Sequence, residues 1–147
     1  MNDSDLIWES YMNSQYDAEY AAAYEAGDEK KAQELVDKAA EAAGYKILYH
    51  GTTENNKKQI ESSGFLKPEA EPAVYLTTDP TGGGYGDGSV VRLAVPESRI
   101  EIDDEFPDGR EDYRVEVGYK GKLQVKSANP FTFDQSGKLI PLSKRFN

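Results

Sequence analysis

Apolar positions recur at helical spacing in the first third of the chain and at strand spacing afterwards, with the change at Tyr45. Residues 5–43 are rich in Ala and Glu, and the first proline is Pro68. The first helix is expected to start near Ser4 or Asp5 and run to Ala26, with Gly27 and Asp28 as its stop and the next helix's cap. Tyr16, Tyr20 and Tyr24 recur every four residues as an aromatic stripe that Met12 and Trp8 extend. Such a stripe is expected to pack against the second helix or the domain body, although a dimer surface would carry the same pattern. The second helix presents Ala32, Leu35, Val36, Ala39 and Ala43 on one face, and Gly44 ends it.

From Tyr45 the apolar runs shorten, become β-branched and are punctuated by Gly, Pro and Asp. Strands are expected at 45–49, 73–77, 89–95, 113–119, 122–126 and 131–133, with a last one near 138–141. The stretch "ENNKKQIESSGF" reads as a short helix closed by Gly64, and "FDQSGKLIPL" as a turn between short strands. The fold class is therefore α+β: an N-terminal helix pair, residues 1–44, on a strand-rich body, residues 45–147, in a single domain.

Composition narrows the chemistry. The 147 residues include no cysteine and one histidine, which removes thiolate nucleophiles, disulfides and zinc-thiolate sites and predicts no metal. Acidic residues outnumber basic ones 27 to 17, for a net charge of −10. That argues against direct binding of a nucleic-acid backbone and suits a partner with a basic surface. No apolar run has the length of a membrane span, and the acidic start "MNDSDLIWESYM" lacks a secretory core, so a cytoplasmic location is expected.

The single histidine stands in "KILYHGTT". His50 closes a predicted strand, Gly51 allows close backbone approach, and Thr52 and Thr53 add hydroxyls just before a helix start. A second strand, "AVYLTTDP", carries Tyr75 and ends with Thr77 and Thr78. The loop "TGGGYGDG" then holds Tyr85; it lacks the P-loop lysine and reads better as a mobile lid with an aromatic ring. In "REDYRVEVGY", Asp112, Arg114 and Glu116 share one strand face while Tyr113, Val115 and Val117 share the other. An amphipathic strand with a wet face explains that alternation without any catalytic role.

The order "LYHGT", "VYLTTDP" with a further Tyr, then a strand glutamate resembles the ADP-ribosyltransferase fold of the His-Tyr-Glu class. The resemblance is nearest to the small domains encoded by bacteriophages and prophages, with a helical lead-in ending "AAGY" and a closing segment like "KSANPFTFDQSGKLIPLSKRFN". It covers about Tyr16 to Asn147 and implies a split β-sheet core that binds NAD⁺ as substrate, without a metal. On that resemblance His50 bonds the nicotinamide-side ribose and the Gly51 backbone holds the carboxamide. Tyr75 takes the triad's tyrosine position and Tyr85 stacks on the nicotinamide ring, with Thr52 and Thr77 beside them. The catalytic glutamate falls on Glu116 by counting back from Lys126-Ser127-Ala128, with Glu111 and Asp112 as alternatives. Arginine-modifying members carry an acid two positions earlier; Arg114 stands there, which argues against an arginine acceptor.

Three functions follow in order of preference. The first is a mono-ADP-ribosyltransferase acting on a host macromolecule, as a phage effector or anti-defence protein in the host cytoplasm. The second is an NAD⁺ glycohydrolase with water as acceptor. The third is a catalytically inactive acidic binding protein that covers a basic host surface.

Overall fold

The computed structural model describes residues 3–69 and 71–146, with side chains from residue 15 onward. The described residues form four α-helices, a six-stranded antiparallel sheet and a two-stranded sheet. The chain divides into two compact units, Met1–Ala43 with Ala128–Asn147, and Gly44–Ser127.

In the first unit, α1 (Asp3–Ala26) and α2 (Glu29–Ala42) meet at the predicted Gly27-Asp28 turn. The Asp28 carboxylate caps α2 by accepting from the Lys31 N–H at 3.1 Å. Ala32, Leu35, Val36 and Ala40 are the buried face of α2; Ala43, expected on it, is exposed beyond the last turn. The tyrosine stripe packs on the C-terminal segment. Tyr20 is 1% exposed, lies against Phe131, and donates its hydroxyl to the Pro130 carbonyl at 2.5 Å. Tyr24 meets Phe131 and Phe133 edge-on and stays partly in water. The side chains of Trp8 and Met12 lie outside the described residues.

The expected strands at 131–133 and 138–141 shrink to one bridge, Phe133 to Leu139. The Asp134 carboxylate gathers the N–H groups of Ser136 and Lys138 at 2.8 and 3.0 Å, closing a loop too tight for a longer ladder. A helix that the pattern did not predict, α4 (Leu142–Arg145), follows. It buries Arg145, whose guanidinium reaches the Asn129 carbonyl and the Tyr20 hydroxyl, each at 2.5 Å.

The second unit carries β1 (Tyr45–Thr52), α3 (Glu54–Ser63), β2 (Phe65–Leu66), β3 (Ala73–Thr77), β4 (Ser89–Pro96), β5 (Glu101–Glu105), β6 (Glu111–Glu116), β7 (Leu123–Gln124) and β8 (Lys126–Ser127). The large sheet runs β5-β6-β3-β1-β4-β8, and β2 pairs with β7 in the small one. Alternation does what it should: Leu48, Val74, Leu76, Val91, Leu93, Tyr113 and Val115 form a core with Ile60 of α3 and with Leu66, Leu123 and Val125. A fully buried side chain of this kind contributes about 1.5–3 kcal/mol. Ten residues of α3 would not hold a helix alone. The Ile60 contact, the Thr53 cap on the Asn56 N–H and the left-handed Gly64 end hold it here.

The strand expected at 113–119 stops at Glu116, because the N–H groups of Val117 and Gly118 both turn to the Pro72 carbonyl. The one expected at 122–126 splits between two sheets. Strand β5 was not predicted. Its sequence, Glu-Ile-Asp-Asp-Glu, has no apolar alternation, and every residue is exposed at the sheet edge. Carboxylates there repel a further strand and end the sheet.

Candidate functional site

Strands β1 and β3 are joined through one residue pair, Tyr49 opposite Thr77, whereas β1 and β4 pair along eight residues. Beyond that single pair β1 and β3 part, and a cavity of about 480 Å³ opens there, within the range for small-molecule sites. His50, Gly51, Tyr75, Thr77 and Tyr85 all line it, from two strands and the glycine loop.

His50 is held by the neighbouring strand. Its Nδ1 lies 2.8 Å from the Tyr75 carbonyl oxygen, which can only accept, so Nδ1 carries the proton. Burial lowers the pKa of the ring, outweighing the Tyr75 carbonyl and the Glu69 charge, so the imidazole is neutral at ordinary pH. Nε2 is then a fixed acceptor, suited to a ligand hydroxyl. Tyr75 donates its own hydroxyl to Glu71, which raises its pKa.

The glycine loop is docked against β1 in this structure. Gly82–Gly84 make one 3-10 turn. Its Gly82 carbonyl presses on Gly51 so closely that a Cβ there would sit 2.4 Å from the oxygen. Only glycine fits at position 51. The Asp87 N–H bonds the Thr52 carbonyl at 3.2 Å, and the Asp87 carboxylate takes the N–H groups of Glu54 and Ser89 at 3.0 Å each. Tyr85 is carried on this loop, 63% exposed at the cavity rim.

Two expected residues do not line the cavity. Thr52 is buried, with its carbonyl committed to Asp87. Glu116 stands at the exposed end of β6, opposite the cavity residue Ala73, and is ion-paired with Arg114. Asp112 does line the cavity. Burial pushes its carboxyl up, but Arg110, bonded at 3.0 Å to each oxygen, and the Thr77 hydroxyl outweigh that and hold it below its ordinary value. Glu111 lies outside the lining, its N–H bonded to the Thr78 hydroxyl at 2.9 Å.

Sequence reading missed the acidic walls that Glu69, Glu71 and Asp103 add. Glu69 and Glu71 sit in a proline-flanked loop without periodicity, and Asp103 reaches inward at a bulge between β5 and β6, which no pattern announces. Among the described residues no cluster of His, Asp or Glu suits a metal ion, and no helix is long and apolar enough to cross a membrane. Comparison with protein-family profiles, with curated proteins and with solved structures finds no match to this chain.

Proposed function

We propose that the protein is a mono-ADP-ribosyltransferase of the His-Tyr-Glu class, moving ADP-ribose from NAD⁺ to a macromolecule with a basic surface. One observation carries this reading. Five of the six residues assigned to NAD⁺ from the sequence share one cavity, although they span positions 50 to 85. Aromatic rings at Tyr75 and Tyr85 and carboxylates around them suit the cationic nicotinamide ring.

In this chemistry Nε2 of His50 accepts a ribose hydroxyl and fixes the sugar. The Glu116 carboxylate, outside the lining and paired with Arg114 in this structure, turns inward to stabilise positive charge as the bond between C1′ and the nicotinamide nitrogen breaks, its electron pair leaving with the nicotinamide. The acceptor's nucleophile then bonds C1′ and gives up its proton. Asp112, already satisfied by Arg110 and Thr77, braces the wall. The site acts in the cytoplasm of a host cell, on the reading that the chain is phage-encoded.

Free nicotinamide released from NAD⁺, with and without bacterial lysate, tests the proposal. Release that needs lysate and falls about 10²–10³-fold in Glu116→Gln supports transfer, by analogy with deleting one stabilising group in an oxyanion hole. Equal release without lysate means a glycohydrolase. Loss in Asp112→Asn but not in Glu116→Gln moves the catalytic role to Asp112. No release and no NAD⁺ binding leaves the acidic binding protein.

A further inference from the structure

The cavity is ill-suited to a diphosphate as it stands. Four carboxylates, Glu69, Glu71, Asp103 and Asp112, face one cation, Lys67. Phosphates among them are repelled unless another cation turns inward. Three arginines are near. Arg110 is committed to Asp112 and Asp79 and lies over the Phe106 ring. Arg92 lies over the Tyr49 ring and donates its Nε–H to the Tyr49 hydroxyl at 3.3 Å.

Arg114 differs from both. It lies directly across from Tyr75, on the face shared with Thr77 and Asp112. Its Nε–H is buried with no hydrogen-bond partner among the described residues. Its ion pair with Glu116 joins side chains that are 36% and 50% exposed, a weak arrangement in water. A dinucleotide's diphosphate, with one negative charge on each phosphate, offers the guanidinium a bidentate partner instead.

We infer that Arg114 is a positioning residue with two stations, Glu116 as in this structure and the diphosphate of a bound dinucleotide, so that the incoming phosphates uncover the Glu116 carboxylate. This rests on the NAD⁺ reading above. It gives the arginine two residues before the glutamate a task other than acceptor choice, and it makes the same step that seats the substrate also free the catalytic group.

Calorimetric titration of the full chain with NAD⁺ and with nicotinamide riboside, which has no phosphate, tests it. Arg114→Gln should weaken NAD⁺ binding about tenfold or more, the worth of one charged hydrogen-bonded contact, and leave the riboside unchanged. Arg114→Lys should recover part of the loss, since an ammonium keeps the charge without the fork. Melting curves of both variants should match the parent. Equal weakening of both ligands, or of neither, overturns the inference and leaves the NAD⁺ reading standing. Failure of the parent protein to bind either ligand overturns both.

Discussion

Replacing Gly51 by alanine is the most direct test of how the glycine loop is held. The added Cβ would lie 2.4 Å from the Gly82 carbonyl oxygen, 3.1 Å from its carbon and 3.2 Å from the Tyr85 carbonyl oxygen, where ordinary contact begins at 3.4 Å. The Gly82 carbonyl must therefore retreat by about 1 Å, since 3.4 less 2.4 is 1.0. Backbone on both sides makes the clash costly, because no flexible side chain can swing away. Overpacking of this size costs about 1–3 kcal/mol. In a chain of this length that lowers the melting temperature by about 2–4 °C per kcal/mol. Urea unfolding followed by tyrosine fluorescence, alongside a thermal melt, measures both. A variant within about 0.5 kcal/mol of the parent would refute the claim that the loop is seated on β1, since that is the scatter of an indifferent surface substitution.

Tyr20→Phe keeps the ring against Phe131 but leaves the Pro130 carbonyl only its 3.4 Å bond from Arg145 and removes an acceptor from that buried arginine, so it should cost about 1–3 kcal/mol in urea unfolding without a change in mass in solution. An oligomer that dissociates in this variant would mean the stripe is an interface. His50 has a pKa lowered by burial from 6.5, so the unfolded chain takes up its proton first as pH falls. Stability should therefore be lost as pH drops through about 6.5 toward the lowered folded value, with a slope of up to about 1.4 kcal/mol per pH unit. His50→Gln should flatten that slope relative to the parent between about pH 5 and 7; parallel curves would show that the ring is not buried as a neutral base.

What could be read from the sequence was what repeats. The helix pair and its turn, α3 with Thr53 and Gly64 at its ends, and strands β3 and β4 follow from spacing and from residues whose backbone preferences are strong, as does β1 up to Tyr49, although pairing with β4 carries it on through His50 to Thr52. Tyr113 and Val115 point into the core and Asp112, Arg114 and Glu116 away from it, as the period of two requires. Elements set by tertiary partners were not legible. β5 is a strand only because β6 offers it an edge, and α4 is a single turn that caps a buried arginine. The same limit applies to the site. His50, Tyr75 and Tyr85 stand out in the chain, yet nothing in the order of letters says that Glu116 ends beyond the cavity or that Glu69, Glu71 and Asp103 wall it.

The first unit is built from two stretches that the chain supplies at opposite times. α1 and α2 leave the ribosome early, but Phe131, Leu142 and Arg145 come only after all of Gly44–Ser127 has been made. Tyr20 therefore waits, its ring uncovered and its hydroxyl without Pro130, while 84 residues are synthesised, the span from 44 to 127. At about 5–20 residues per second that interval lasts several seconds, far longer than a small sheet needs to collapse. The continuous unit is thus free to fold first, and the helices are completed only when the stretch that follows Ser127 arrives. A ribosome-held chain with all of Gly44–Ser127 clear of the exit tunnel but residues 128–146 still inside it should carry a formed sheet and an unfinished aromatic face, a point at which a chaperone can hold the chain.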